Sequence, residues 1–588
     1  SDPIDLATGR MILPQTDVAL PGSLPLAFTR TFESSYRTGR WFGRTWMSTL
    51  DQRLEIDSEG VIFIGEEGNF LLYPHPAVGV PTLPLEGDGA PLARTPDGDY
   101  FLVDHVTGIR RYFTTHTENL ALLDEISDRH GNHQTFDYTE EGKPTAITHS
   151  AGYRLLLTTE GTPEGDRITA LHLAGAAPDG TDQVLATYGY DAFGNLTTVT
   201  LPDGTTSTTV YDAHGNPLNV TGPDGTTWAH TYNAHGHRVA TTDPAGATTT
   251  YTHDARGNLA SVTDALGHTT RIDCDAAGLP RSVTDPLGHT THYRRDAFGR
   301  TTSVTDPLGA TTHLQWTVEG KLAARTDPTG AREEWTYDGE GNRLTHTDAV
   351  GQTTHFSYTH FDLLAARTDP DGVRYEFAHD TELRLTQVTN PQGLTWNYTY
   401  DGAGRLISES DFDDRVLSYA HDAAGQLATR TNALDEVTTY TRDPLGRITE
   451  KNAAGLVTTY VHDPAGNLHQ AANPDATVTY TRDILGRVLT ETVNDRTMTF
   501  TYDILGRRTS RTTPTGHHTT YTYDAAGNRT GMDIAGHPLS FSYDAAGQEL
   551  TRTIGNNLHL THTWDPTGRL TSQSLSAAAT DPTGTAQA

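Results

Sequence analysis

Apolar and polar residues alternate with a period of two along most of the chain. Residues 259–263 and 520–523, for example, place every second side chain on the same side of an extended backbone, which is typical of a β-strand. Threonine, tyrosine and valine dominate such segments, and these residues suit a pleated surface. Apolar residues at helical spacing are almost absent. The pattern therefore predicts an all-β protein.

Glycine-containing turns separate these segments at a fixed spacing. The glycine of a Tyr-Asp-x-x-Gly motif returns every 21 residues, and later every 20 or 21, through nineteen positions of which seventeen are glycine; Asp362 and Leu383 occupy the other two. A phase held for so long indicates one repeated structural unit. The residues taken to represent the motif are Tyr190, Asp191, Gly194, Tyr211, Asp212, Gly215, Tyr337, Asp338, Gly341, Tyr502, Asp503, Gly506, Tyr523, Asp524 and Gly527.

A second turn motif, Asp-Pro-x-Gly, lies between successive Tyr-Asp motifs, for example at residues 285–288 and 306–309. Aspartate at the first turn position bonds the backbone two residues on, proline presets φ, and glycine accepts a positive φ. One repeat is then a strand, an Asp-x-x-Gly turn, a strand and an Asp-Pro-x-Gly turn. We interpret the tyrosines as cross-strand packing residues and the aspartates as turn formers. A sugar-binding or calcium-binding role is the alternative.

The number of repeats predicts the architecture. Two strands per repeat give about forty consecutive antiparallel strands, and twist makes open sheets curl once they exceed ~10 strands. Each repeat also depends on its neighbours to bury its apolar face. We therefore expect a long antiparallel ribbon that coils into a solenoid or shell.

Residues 1–120 do not follow the repeat and predict a small all-β N-terminal domain. Within residues 21–32, Leu24, Leu26, Phe28 and Phe32 share one face of a strand. Residues 61–64 and 70–73 predict a hairpin. We assign the repeats to residues 121–575 and a polar tail to residues 576–588.

Charge limits the classes of partner. Lys+Arg is 42 and Asp+Glu is 74, which gives a formal net charge of −32. A nucleic-acid binder that relies on the phosphate backbone needs a basic footprint, so nucleic acid is excluded as the expected partner, and an anionic membrane surface is disfavoured. No stretch approaches the ~18 apolar residues of a membrane helix. The net charge is instead expected to keep a large β-surface soluble.

The sequence contains no recognisable catalytic, cofactor-binding or metal-binding arrangement. Nucleophile-elbow, zinc-protease and phosphate-loop motifs are missing. The histidine clusters at residues 235–237 and 517–518 are interpreted as exposed turn and strand positions. Cys274 is the only cysteine, so no intrachain disulfide forms. It occupies a tyrosine position of the repeat and is expected to be a buried packing thiol. We therefore predict no cofactor and no enzymatic activity.

The repeated motif resembles the YD repeat of Rhs proteins, of the C component of insecticidal Tc toxins and of teneurins. The opening residues 2–9, followed by Leu24-Pro25-Leu26, residues 28–30 and Phe42-Gly43, resemble the domain that begins bacterial Rhs and polymorphic-toxin cores. The resemblance implies that the strands spiral into a hollow β-cocoon that encloses a C-terminal toxin. It further implies a secreted, cell-surface or delivered protein whose partners are the toxin cargo, a plug and components of a secretion apparatus.

The C-terminal residues depart from that family pattern. Residues 564–569 imitate the first half of the plug motif, but the sequence then continues as an ordinary repeat. We expect the plug, its self-cleaving aspartate protease and the toxin to be absent from this chain, and the shell to be incomplete at its C-terminal end. The leading hypothesis is thus an encapsulation shell. The alternatives are a repeat-built adhesin for glycan or a wall polymer and, less favoured, an enzyme in the N-terminal region.

Overall fold

The computed structural model describes residues 11–577, except 87–89, 105–106, 178 and 556. The family-like opening at residues 2–9 and residues 578–588 of the predicted polar tail lie outside the described residues. Strands β1 to β52 account for almost all regular structure, and the described residues contain no α-helix, only a 3-10 turn at Thr49–Asp51. The all-β fold class is confirmed.

A separate three-stranded antiparallel sheet lies at the N-terminal end. Its order is β1-β2-β3. Alternation explains its formation, because Leu26, Phe28 and Phe32 share one face of β2 and are all buried. The strands are β1 (Ile12–Leu20), β2 (Leu26–Glu33) and β3 (Trp46–Ser48).

The other 49 strands form one long antiparallel sheet. Those before the regular repeats are β4 (Arg53–Ile56), β5 (Val61–Ile64), β6 (Phe70–Tyr73), β7 (Leu92–Arg94), β8 (Tyr100–Val103), β9 (Arg110–Thr117), β10 (Leu120–Ser127), β11 (His133–Tyr138), β12 (Pro144–His149), β13 (Arg154–Thr162), β14 (Gly165–Leu173), β15 (Gln183–Tyr190) and β16 (Leu196–Thr200).

The next strands follow the 21-residue phase. They are β17 (Thr206–Tyr211), β18 (Pro217–Thr221), β19 (Thr227–Tyr232), β20 (Arg238–Thr242), β21 (Thr248–His253), β22 (Leu259–Thr263), β23 (Thr269–Cys274), β24 (Pro280–Thr284), β25 (Thr290–Arg295), β26 (Thr301–Thr305), β27 (Thr311–Trp316), β28 (Leu322–Thr326), β29 (Arg332–Tyr337), β30 (Arg343–Thr347), β31 (Thr353–Tyr358), β32 (Leu364–Thr368), β33 (Arg374–His379) and β34 (Leu385–Thr389).

The remaining strands complete the sheet. They are β35 (Thr395–Tyr400), β36 (Leu406–Ser410), β37 (Val416–His421), β38 (Leu427–Thr431), β39 (Val437–Arg442), β40 (Ile448–Ala453), β41 (Leu456–His462), β42 (Leu468–Ala472), β43 (Thr477–Arg482), β44 (Val488–Val493), β45 (Arg496–Tyr502), β46 (Arg508–Thr512), β47 (His518–Tyr523), β48 (Arg529–Ile534), β49 (His537–Tyr543), β50 (Glu549–Ile554), β51 (Leu558–Trp564) and β52 (Leu570–Ala577).

Strand β10 is the one branch point in the described sheet. It pairs with β9 along one edge; on the other edge its first half pairs with β4 and its second half with β11. The predicted hairpin is confirmed, because β5 and β6 pair antiparallel. From β11 onward each strand pairs with its sequence neighbours. The sheet does not close, since β52 pairs only with β51 among the described strands. The domain boundary at residue 120 stays a prediction.

The contiguous buried apolar core among the described residues is built from the first part of the chain, up to Leu196. It lies between the N-terminal sheet and the first strands of the long sheet, and it includes Phe28, Phe42, Trp46, Tyr188 and Leu196. From β23 to β52, by contrast, the side chains mostly alternate between half-buried and exposed. This alternation is the signature of a sheet on which no described residues pack as a second layer.

The ribbon coils back onto itself. The Arg405 guanidinium donates to the Tyr153 hydroxyl at 3.3 Å, although the two residues are 252 positions apart. Arg447 similarly reaches Asp203, with 3.7 Å between nitrogen and carboxylate oxygen. We call the line along which two revolutions of the ribbon touch the seam. There, Asp-Pro-type turns of the first revolution lie beside Tyr-Asp turns of the second, and a cleft of about 730 Å³ opens between them.

Candidate functional site: repeat turns and the aromatic face

Each aspartate of the Tyr-Asp motif organises its own turn. In the turn that begins at Asp212, Oδ1 accepts hydrogen bonds from the backbone N–H groups of His214 and Asn216 at 2.8 and 2.9 Å. Oδ2 accepts from the Asn216 side-chain amide at 2.9 Å. Partial burial by itself would raise the pKa of the Asp212 carboxyl, but these donors lower it below its ordinary value. The carboxylate is thus occupied by structural hydrogen bonds.

The glycine of the motif closes the turn. Gly215 N–H donates to the Asp212 carbonyl at 3.1 Å, and Asp212 N–H donates to the Asn216 carbonyl at 2.9 Å. Gly215 has φ of 84°, in the left-handed region that favours glycine. This is a hairpin turn that ends in a left-handed residue, and the pairing that follows it has a bulge at Leu218, opposite the step from Val210 to Tyr211. All seventeen glycines of the phase have positive φ.

The tyrosine of the motif reaches into the preceding repeat. Tyr337 at the end of β29 donates its hydroxyl to the backbone carbonyl of Leu322, fifteen residues upstream, at 2.8 Å. We call this hydrogen bond the inter-repeat clasp. Other members of the motif form equivalent bonds: Tyr190 to Ile168, Tyr211 to Leu196, Tyr502 to Val488 and Tyr523 to Arg508. Burial raises the pKa of Tyr211 to about 12, which keeps the hydroxyl protonated as a donor.

Some of the residues that replace tyrosine preserve the clasp with other donors, whereas the His253 and His379 rings each keep a nitrogen without a partner in the described structure. Trp316 uses its indole N–H on the Thr301 carbonyl at 2.8 Å, and Arg442 uses its guanidinium on the Leu427 carbonyl at 3.1 Å. Cys274, in the same position, is half-buried rather than fully buried as expected. Its sulfur lies 4.0 Å from the corresponding carbonyl. Sequence reasoning missed the clasp, although the donor-bearing residues at this position were a usable signal.

The fifteen representative residues of the motif are not gathered into one site. They recur along one edge of the ribbon, with the tyrosines at strand ends, the aspartates opening turns and the glycines closing them. The described residues contain no group of three or more histidine, cysteine, aspartate or glutamate side chains placed to hold a metal ion. The His235 and His237 rings lie 6.2 Å apart. No helix among the residues described is long and apolar enough to span a membrane.

The two faces of the ribbon differ in chemistry. In β29, Glu333, Trp335 and Tyr337 lie half-buried on one face, whereas Glu334 and Thr336 are exposed on the other. We call the first, which carries the motif tyrosines, the aromatic face. On the first strand of the repeat its side chains are larger yet less exposed than those opposite. On the second strand the relation is reversed, because Arg325 of the aromatic face is exposed and Ala324 of the opposite face is buried.

The N-terminal sheet packs on the aromatic face of the first repeats. Tyr188 donates its hydroxyl to Asp17 at 2.8 Å, and Arg30 pairs with the same carboxylate at 2.7 Å. Burial by itself would lower the pKa of the Arg30 guanidinium, but the negative charge of Asp17 has the larger effect, and the pKa is raised. The buried pair therefore stays ionic. Further along, the Trp46 indole N–H donates to the Tyr211 hydroxyl at 3.4 Å. The N-terminal sheet thus fills one end of the coiled ribbon.

Comparisons with known proteins match both regions of the chain. A model of a domain of unknown function, DUF6531, matches residues 1–73. The model of the RHS repeat matches about half of the chain, at residues 176–206, 211–248, 232–269, 275–312, 295–332, 316–353, 337–374, 379–416, 421–457 and 502–536.

The similar curated proteins are bacterial toxins and nucleases. Double-stranded DNA deaminase toxin A of Burkholderia cenocepacia is 30% identical over 212 residues, which is 34% of this chain and 14% of that protein. Probable deoxyribonuclease RhsB of Dickeya dadantii is 28% identical over 208 residues, 33% of this chain and 13% of that protein. The matched part is therefore a small fraction of each relative, and the activities in those names belong to the whole relatives.

A solved structure has the same architecture. The structure of TcdB2-TccC3-Cdc42 superposes with a TM-score of 0.53 and 14% identity, over 97% of this chain and 43% of that one. At this identity the likeness shows the fold, a β-shell, and nothing about activity. Together with the repeat model that matches half of its residues, it establishes that the chain belongs to the RHS repeat family.

Proposed function

We propose that this chain is the encapsulation shell of a bacterial toxin. The single observation that carries the proposal is the single-layered, coiled sheet, whose aromatic face from β23 to β52 has no second layer within the described residues. Extended apolar surface is unfavourable in water. A ribbon that turns this face inward and fills one end with the N-terminal sheet encloses a space that suits a polypeptide cargo.

Two further points support the proposal. Two similar proteins are named as a deaminase toxin and a probable deoxyribonuclease. The motif carboxylates of this chain, in turn, are occupied by backbone donors, as at Asp212, and are poorly suited to act as general bases. The chain then has a structural role, and its partners are a toxin cargo with its plug and the components that deliver it outside the producing cell.

A reporter fusion tests the proposal. An unstructured segment fused after Ala588 is expected to be digested by an added protease much more slowly than the same segment supplied as a free peptide. A density map of the unfused chain is expected to show an enclosed void. Equal digestion of fused and free segments, or an interior filled by the chain's own side chains, would show that the chain is not a shell.

A further inference from the structure

The aromatic face carries an excess of positive charge. Strand pairing places five positions of each repeat on this face: the tyrosine position, the residues two and four before it, and the residues two and five after the glycine position. From β17 onward the acidic residues at these positions are Glu333, Glu409, Glu491 and Glu549. The basic residues there are Arg238, Arg295, Arg325, Arg343, Arg367, Arg430, Arg442, Lys451, Arg482, Arg508, Arg511, Arg529 and Arg552.

Two of the four acidic residues on this face, Glu409 and Glu549, already have partners. Glu549 pairs with Arg552 at 3.0 Å. Glu409 accepts hydrogen bonds from the Trp396 indole and the Tyr419 hydroxyl. The basic side chains at these positions thus outnumber the carboxylates there, although Arg367 pairs with Asp369 of the adjoining turn at 2.7 Å. The acidic residues behind the net charge of −32 therefore lie mainly in the turns, whereas the strand positions of the aromatic face carry an excess of basic residues.

Several of these arginines are held against aromatic rings. The guanidinium carbon lies 4.2 Å from the ring centre of Phe356 for Arg343, and 4.4 Å from that of Phe500 for Arg508. Stacking of this kind fixes the guanidinium plane and leaves its edge donors available. Arg442 and Arg482, by contrast, already donate to backbone carbonyls of this chain, so they are not free to bind a cargo.

We propose that the aromatic face holds an extended polypeptide segment rich in both apolar and carboxylate side chains. The proposal rests on the shell function and specifies its cargo. Apolar residues cover the tyrosine, leucine and valine side chains, and carboxylates accept the paired donors of the arginines. Single-stranded nucleic acid, which also combines stacking with negative charge, fits less well. Its phosphates need a continuous basic track, whereas here the arginines alternate with apolar residues.

Three matched reporters test this cargo class. Unstructured segments of equal length and apolar content, one acidic, one neutral and one basic, are fused after Ala588 of the full chain and digested at low and high salt. We expect protection in the order acidic, neutral, basic, with the advantage of the acidic segment reduced by salt. The variant Arg430→Gln/Arg511→Gln is expected to lose that advantage. Its control, Arg271→Gln/Arg294→Gln, changes two exposed arginines of the opposite face and is expected to keep it.

The outcomes separate the two proposals. Equal protection of all three segments, or best protection of the basic one, overturns the cargo class and leaves the shell function standing. Protection of none overturns both. Release of the acidic segment by a single-stranded oligonucleotide, at a concentration where an acidic peptide does not release it, overturns the polypeptide assignment in favour of nucleic acid.

Discussion

Leu383 stands in a glycine position of the repeat and takes the glycine conformation. Its φ is 60°, and its N–H donates to the Asp380 carbonyl at 3.1 Å, as the glycines of other repeats do. An L-residue with a Cβ atom pays about 1–2 kcal/mol for left-handed backbone. The neighbouring repeats therefore impose the turn on a residue that disfavours it.

Replacement of Leu383 by glycine is expected to stabilise this turn. Leu383→Gly removes the left-handed strain, and after the entropic cost of glycine the net gain is about 0.5–1 kcal/mol. The measurement is amide hydrogen exchange, which is expected to be slower in β33 and β34 of the variant. Leu383→Ala shortens the side chain but keeps the Cβ atom, so it is the matched control and should give no gain. A gain in both variants would mean that the side chain, not the backbone, was the source of strain.

Turn chemistry at the residue scale was predictable from the sequence, whereas the partner of the tyrosine was not. Aspartate and glycine act within five consecutive residues, so their roles follow from local rules. The hydroxyl of Tyr337 acts on a carbonyl fifteen residues away, and only the strand register shows that this carbonyl lies within reach. The half-buried state of Cys274 also depends on structure beyond the local sequence, because no described residues cover the aromatic face at that position.

At the scale of the element, the clasp joins each strand pair to the preceding one. Cross-strand hydrogen bonds already link the two strands of a repeat, and the tyrosine adds a side-chain bond across the strand boundary. Because a single-layered sheet lacks packing against a second layer, such bonds make up a larger share of the coupling between neighbours.

Loss of one clasp is expected to weaken coupling locally. Tyr337→Phe removes the donor to the Leu322 carbonyl and should cost about 0.5–1.5 kcal/mol. Hydrogen exchange should accelerate in β28 and β29 and remain unchanged in distant repeats. Tyr293→Phe is the control, since no hydrogen bond of that hydroxyl occurs in the described structure. Equal acceleration in both variants would show that the clasp adds nothing beyond ring packing.

The order of strands along the ribbon was also predictable, but the branch at β10 was not. Consecutive antiparallel pairing follows from short turns between strands. The pairing of β4 with β10 joins segments separated by several other strands, and no local pattern specifies it. The separation of β1–β3 into their own sheet likewise depends on packing against β15 and its neighbours.

At the scale of the whole molecule, His149 links the N-terminal sheet to the coiled ribbon. Its Nε2–H donates to the Leu24 carbonyl, and its Nδ1 accepts from the Ala151 N–H at 2.8 Å. This pair of bonds requires the neutral ring. Burial lowers the pKa of His149, and the nearby His133 adds to the effect, while the Leu24 carbonyl and Asp128 oppose it. Leu24 follows Ser23, whose N–H donates to the Ala403 carbonyl of the second revolution.

Acidic pH is expected to weaken the contact between His149 of the ribbon and Leu24 of the N-terminal region. Because the pKa of folded His149 is depressed, the stability that it contributes is present above the unfolded value of about 6.5 and is lost as pH falls below it. Limited proteolysis of residues 21–25 should therefore accelerate between pH 7.5 and pH 5. His149→Leu should remove most of this pH dependence, and His292→Leu, on an exposed strand position, should retain it. An unchanged profile in His149→Leu would assign the effect to another group.

The seam gives the circumference of the shell a definite count. One revolution holds 23 strands, because β13 to β35 lie between Tyr153 and Arg405 and β17 to β39 lie between Asp203 and Arg447. Insertion of one repeat between Asp203 and Arg447 would leave every strand pair intact. If the number of strands per revolution stayed the same, however, the insertion would bring the uncharged Gln426 opposite Asp203 in place of Arg447. Repeats can thus be added at a free end of the ribbon without disturbing the seam. A repeat duplicated inside the ribbon must either increase the number of strands per revolution or mispair the residues that meet at the seam.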